Sequence, residues 1–338
     1  LSSLALVALA GCGKSAPAKL VPIGAGLQGP AGLKATVYAT GIVHASAFTF
    51  DHQGRLWVTA SGSDTHTTDG VYMVASAGAK PVKVISGLKG PLGLLWYGQE
   101  LIVSSLGKVT AYIGLEGNTF LQAVTLLKGP KGGGENNNVI LAPNGRLLMG
   151  VSASCDHCTP PTKWSGSIVS FKPNGSDLKL FASRIRAPFG LTFYPGTNDL
   201  LASMNQRDDL GAKTPGDWLA LVREGENWGF PNCYGQATKA CAGEPKPIAV
   251  LGAHAAAGGV AVLTTQLADK FAGSALVSEW NLGKVLRVPL RQKGTTYTGT
   301  AVPFLTGIKN PLPVITASGG AVLVGDWTTG TIYRISAS

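Results

Sequence analysis

The chain is a succession of short apolar runs broken by glycine and proline, and no helical period persists for long. The pattern is clearest near the middle. Val139, Ile140 and Leu141 lead into the turn Pro143-Asn144-Gly145, and a second run, Arg146 to Val151, returns from it. That spacing predicts a hairpin. In front of it stand Glu135 and the amides Asn136, Asn137 and Asn138; behind it come Cys155 and Cys158.

The same unit recurs along the chain. A Gly- or Pro-bearing approach leads to an alternating strand, a turn, a second strand, and a third ending in a basic or aromatic residue. Units open at Gly41, Gly87, Gly132, Arg184, His254 and Gly307. Six units at spacings of roughly 40 to 70 residues predict an all-β fold, a six-bladed β-propeller of four-stranded blades around a central channel. A pair of β-sandwiches is the alternative, but it lacks recurrence on this scale. The propeller is expected over about residues 38–336. The first strand of each blade should line the channel, with its approach loop at one rim. Glu135, Arg186, His254 and Asn310 all lie on such approaches.

Composition fits this picture. In 338 residues there are 46 Gly and 20 Pro, and only 14% are charged, which favours short strands and tight turns over solvated helices. The formal charge of +10 is spread out, with no basic run of five and no interleaved aromatics, so a nucleic-acid partner is not expected. Leu4 to Ala10 is apolar but shorter than the about 20 residues that span a bilayer. It ends in Leu9-Ala10-Gly11-Cys12, similar to a bacterial lipobox. Residues 1–12 therefore read as a lipoprotein signal whose charged part precedes Leu1, and residues 13–37 as a tether. The expectation is an exported periplasmic or cell-surface protein, held to the membrane only by lipid on Cys12. Export permits disulfides. Cys155, Cys158, Cys233 and Cys241 allow three pairings, of which the local one, 155–158 and 233–241, is expected. Zinc is the rival, though seven residues between the second pair is a poor spacing for it.

Four stretches in order, "SRIRAPFGLTFYPGTNDLLASMNQRDDLG" (183–211), "EGENWGFPNCYG" (224–235), "HAAAGGVAV" (254–262) and "SEWNLGKVLRVPL" (278–290), resemble the glucose/sorbosone dehydrogenase family, in its sorbosone-dehydrogenase-like branch. The resemblance spans about residues 38–336. It implies a six-bladed propeller and pyrroloquinoline quinone (PQQ) held over the channel with calcium. The implied reaction is oxidation of a sugar, alcohol or aldehyde, with electrons passed to an external acceptor. The family's catalytic His falls on Glu135, so Glu135 is the expected general base, and a neighbouring family Arg falls on Asn138. Arg186 matches a cofactor-facing Arg, followed here by Ala187. Asn281, Lys284, Asn310 and His254 fall on other positions expected around the cofactor, and Gln206, Asp208 and Asp209 in "NQRDDLG" suit a hard cation such as calcium.

Other residues invite plainer readings. Asp326 should make a turn, His52 and His157 should face solvent, and Trp228 and Trp280 should pack between blades. His44 belongs to the rim, and His66 lies in a polar loop that can overhang the channel. Two alternatives to the dehydrogenase stay open. One is a binding or scaffold propeller without redox chemistry. The other is a lactonase-like hydrolase whose channel calcium is held by Glu135, Asn136, Asn205 and Asn281.

Overall fold

The computed structural model describes residues 19–62, 66–235 and 239–338, so the segment ending at Cys12 lies outside the described residues. Six antiparallel blades of four strands follow one another round a ring, as the recurrence predicts, and the fifth is extended to a six-stranded sheet. Their innermost strands are Ala45–Phe50, Gly93–Tyr97, Asn136–Leu141, Ala187–Phe193, Ala257–Leu263 and Pro311–Ala317. We number the blades 1 to 6 in that order.

The ring is closed by a strand the sequence reading left outside. Leu33–Ala39 forms the outer edge of blade 6, antiparallel to Ile332–Ala337, with Ala35 opposite Ile335. Ahead of it, Val21–Gly24 and Leu27–Gly29 form a hairpin that joins the edge of blade 5 through Gln28 and Thr306. The tether drawn to residue 37 is therefore corrected. From residue 21 onward the chain is built into the propeller, because Ile23, Leu27, Leu33 and Ala35 bury their side chains in the core shared by the last two blades. Pairing Leu33–Ala39 with Ile332–Ala337 in one blade closes the ring by tying its first and last blades together.

The core lies between neighbouring blades. Second strands such as Leu56–Ala60 and Leu147–Val151 are buried along their whole length, which accounts for their unbroken apolar sequence. Polar bonds stitch the blades near the channel. Ser104 donates to the carbonyl of Asn137 in the next blade, Ser203 to Gly258 and Ser278 to Leu312. Blade 3 has Gly150 at the equivalent place, where a Cβ would overlap the carbonyl of Pro188 in blade 4. Asp69 and Asp217 do a similar job at the starts of third strands. Asp69 accepts the N–H of Gly62 and of Gly90; Asp217 accepts those of Gln206 and Ala257. Each carboxylate ties the exit of its own blade to the entry of the next.

Both local cysteine pairs are disulfides, Cys155–Cys158 and Cys233–Cys241, so the zinc alternative falls away. Trp228 is buried against Trp218 with ring centres 5.9 Å apart, placing the GENWGFP stretch in the core between blades 3 and 4.

Candidate functional site

The repeat itself builds a pocket. In the second strands, Thr59, Ser104, Gly150, Ser203, Ser278 and Gly325 hold one register position, the small or hydroxylated residue facing the neighbouring blade. Two residues further on, each strand emerges at the channel mouth with Ser61, Leu106, Ser152, Asn205, Trp280 and Trp327. All of these but Ser152 line one cavity of about 320 Å³. Ser152 instead accepts a hydrogen bond from Asn137. Leu92, Glu135, Phe189 and Leu312 complete the walls from the approaches and inner strands, so every blade contributes.

One side of the cavity is aromatic. Trp280 and Trp327 meet edge to face at 5.4 Å and 77°, and His44 packs on Trp327 at 4.1 Å. Asn310 fixes both tryptophans from behind. Its Nδ2 donates to Trp280 O at 2.9 Å, and its carbonyl accepts the Trp327 N–H at 2.9 Å. Asn310 thus shapes the pocket without lining it. Asp326 makes the adjoining turn as expected, accepting N–H groups from Lys309, Asn310, Thr328 and Thr329.

Three polar groups reach the cavity from different blades. Glu135 is held by its carbonyl, which accepts the N–H of Ser152 at 3.0 Å. Its side chain is exposed at the channel mouth, yet the protein packed around that mouth still desolvates its carboxyl. That desolvation pushes its carboxyl pKa up, and the charge of Arg186 offsets part of the rise. Asn205 presents a shielded Oδ1 with no hydrogen-bond partner among the described residues. His66 lines the cavity with its Nδ1 2.8 Å from Asp69 Oδ2.

The remaining expected residues form a chain along the rim beside the cavity. Arg186 pairs with the carboxylate of Asp156, inside the Cys155–Cys158 loop, and lies 3.9 Å from Asp208. Asp208 is 3.2 Å from His254 Nδ1, and the His254 carbonyl accepts from Asn281 Nδ2 at 2.9 Å. Glu135, Arg186, His254 and Asn281 therefore share one rim, but only Glu135 lines the cavity.

Several expectations need correction. Asp208 and Asp209 do not converge with Gln206 as cation ligands. Arg207 grips Asp209 with two bonds of 2.6 Å, holding its carboxyl at about 2, while Arg186 and His254 face Asp208. The Gln206 amide turns back to Met204 O at 3.5 Å. Among the described residues no group of three or more His, Cys, Asp or Glu is arranged to hold a metal. Lys284 is taken up by Glu279 at 3.2 Å, since that fully buried carboxylate needs a cation. Asn138 spends its amide on Leu191 O across the blade 3–4 seam. The calcium set of the hydrolase alternative does not assemble either. Asn136 is buried on Ser105 O and Asn281 sits on the rim. Trp280, expected between blades, is a pocket wall. Phe189, Leu312 and Trp327 were not foreseen. Lining up the second strands on their small residue would have found Trp327 and Asn205 together.

No family model matches the chain. Among curated proteins, an uncharacterised protein of Borreliella burgdorferi is 22% identical over 231 residues, 63% of this chain; the match spans 58% of that protein's length. Solved structures are closer in shape. A Trichoderma reesei carbohydrate-active enzyme of family AA12, solved with iodide, superposes with TM-score 0.75 at 17% identity, covering 92% of this chain and 97% of its own. The holo PQQ domain of Coprinopsis cinerea pyranose dehydrogenase gives 0.74 at 15% identity, with coverages of 92% and 97%. The PQQ-bound aldose sugar dehydrogenase of Streptomyces coelicolor gives 0.74 at 18% identity, with coverages of 91% and 99%. At these identities the likeness establishes the shared six-bladed propeller.

Proposed function

We propose that this chain is an exported, quinone-dependent sugar dehydrogenase of the glucose/sorbosone kind, oxidising a hydroxyl or hydrated aldehyde of a small aldose at the channel mouth. One observation carries the reading. Glu135, its carboxyl pKa raised by desolvation, stands in a cavity walled by Trp280 and Trp327, on the same propeller as a PQQ-bound aldose sugar dehydrogenase. Indole faces suit the apolar C–H faces of a sugar ring, and the Asn205 amide, whose shielded Oδ1 has no partner among the described residues, would turn to accept a hydroxyl. Glu135 would take the hydroxyl proton as the carbon gives up hydride.

An indole face in the cavity wall would give a flat conjugated cofactor a surface to lie on. PQQ, when bound, supplies the two-electron acceptor for the hydride. Arg186, on the rim beside the cavity, would grip one of its carboxylates, sharing that charge with Asp156. Calcium, with which a structure of the AA12 enzyme is also known, would draw here on neutral oxygens, because Asp208 and Asp209 already face cations. Two disulfides support export to an oxidising compartment, and anchoring through Cys12 belongs to the same proposal. Adding PQQ and calcium to the protein should produce bound-quinone absorption and a higher melting temperature, followed by aldose-dependent bleaching with an external acceptor. Absence of quinone uptake would defeat the proposal.

A second reading, a sugar-binding propeller without redox chemistry, is favoured by one feature. Among the described residues no Lys or Arg lines the cavity, and Arg186 and Lys284 are paired with carboxylates. Sugar binding without quinone uptake would select it.

A further inference from the structure

We infer that His66 is a specificity residue of the cavity, accepting on Nε2 a hydrogen bond from one particular hydroxyl of an aldose. The inference deepens the proposed function and rests on its placing of a sugar in this cavity.

The geometry is that of an oriented imidazole. Asp69 Oδ2 takes the Nδ1 proton at 2.8 Å, which assigns the tautomer and leaves the Nε2 lone pair as the acceptor on a ring that lines the cavity. The Asp69 side chain is fully buried and cannot turn away. Its Oδ1 accepts the Gly62 N–H at 2.6 Å, and its Oδ2 also accepts the Gly90 N–H at 2.7 Å. Those two N–H groups belong to blades 1 and 2, so the carboxylate that aims His66 is part of the seam between blades.

The backbone agrees. His66 has φ of 52°, in the left-handed region that non-glycine residues adopt rarely. A tight turn closed by the Asp69 N–H on His66 O at 3.2 Å holds it there. A solvent-facing loop histidine needs none of this. His52 is exposed in its turn and bonds to Gly98 O at 2.8 Å. A site that supplies a fixed acceptor discriminates against the analogue lacking the matching donor, because the bound ligand shields that acceptor from water and leaves it unpaired.

The test measures binding of a panel of aldohexoses and their monodeoxy analogues by calorimetry, in wild type and in His66→Gln. In wild type, loss of one hydroxyl should weaken binding by about 100-fold or more. In His66→Gln, the parent sugar should weaken and the penalty for that same deoxy position should shrink to less than about tenfold, while other positions keep their penalties. A penalty pattern identical in both proteins overturns the inference, as does absence of aldose binding in wild type. If the variant does not fold, ring-nitrogen NMR of wild type decides. Sugar should shift the His66 Nε2 resonance, and an unmoved resonance at saturation overturns the inference. Quinone uptake, scored separately, reports on the dehydrogenase reading, so either can fail alone.

Discussion

The guanidinium of Arg186 is closed by the carboxylate of Asp156, a residue that the Cys155–Cys158 disulfide holds in place on the rim. The same carboxylate accepts the N–H groups of Asp208 and Asp209 at 3.1 Å, so one side chain fixes both the candidate cofactor cation and the NQRDD loop. An anion that binds Arg186 must share it with Asp156. Asp156→Asn keeps an acceptor for the loop and removes the competing charge. Its affinity for PQQ should rise about three- to tenfold, read from a quinone absorbance titration at fixed calcium. Weaker binding instead would mean that Asp156 matters chiefly as the support that aims Arg186.

Glu135 links activity to stability. Desolvation raises its folded pKa above the unfolded value, with Arg186 opposing. A carboxyl shifted this way favours folding while both states are protonated, and that contribution is lost as pH rises through the folded pKa. A base must be ionised, so turnover should rise over the same interval. Glu135→Gln should therefore slow turnover by about two to four orders of magnitude and raise the melting temperature at neutral pH. Loss of both activity and stability would point to a structural role.

Asp217 gives a pH effect away from the cavity. Burial pushes its carboxyl up to about 7, although it accepts the N–H groups of Gln206 and Ala257. The folded state then holds a proton that the unfolded chain releases near pH 4, so stability should fall as pH rises from about 4 to about 7. Denaturant titrations across that interval should show the slope in wild type and lose this component in Asp217→Asn. An unchanged slope would show that Asp217 is ionised throughout.

The blades were legible because their second strands are buried on both faces and read as unbroken apolar runs, each followed by a turn. Glu135 was legible because a carboxylate before an apolar strand has to emerge at the rim. The closing strand Leu33–Ala39 was not. Its partner, Ile332–Ala337, lies at the other end of the chain, and local periodicity carries no trace of so distant a pairing. The cation assignments failed for a related reason. "NQRDDLG" places two carboxylates beside an arginine, but which charges pair is decided by Arg186, Asp156 and His254, brought in from other blades. Trp280 and Trp327 have the same size and apolarity as core tryptophans; their register relative to Ser278 and Gly325 sets them in the pocket.

Asn205 separates binding from folding most cleanly. It follows Ser203, whose hydroxyl donates to Gly258 O and accepts the Gly190 N–H, so the strand is firmly held where it meets the channel. The Asn205 Oδ1 is shielded and unpartnered among the described residues, although the side chain lines the cavity. A shielded acceptor without a donor costs about 1–3 kcal/mol, a cost a ligand hydroxyl can remove. Asn205→Leu keeps the volume and removes the unpaired atom, so the variant should melt at a higher temperature than wild type while its aldose affinity falls about tenfold or more. Calorimetry on both proteins checks the two signs together. A lower melting temperature would mean that Oδ1 already has a partner in solution. Unchanged affinity would remove Asn205 from the sugar site and leave Glu135, His66 and the two tryptophans to form it.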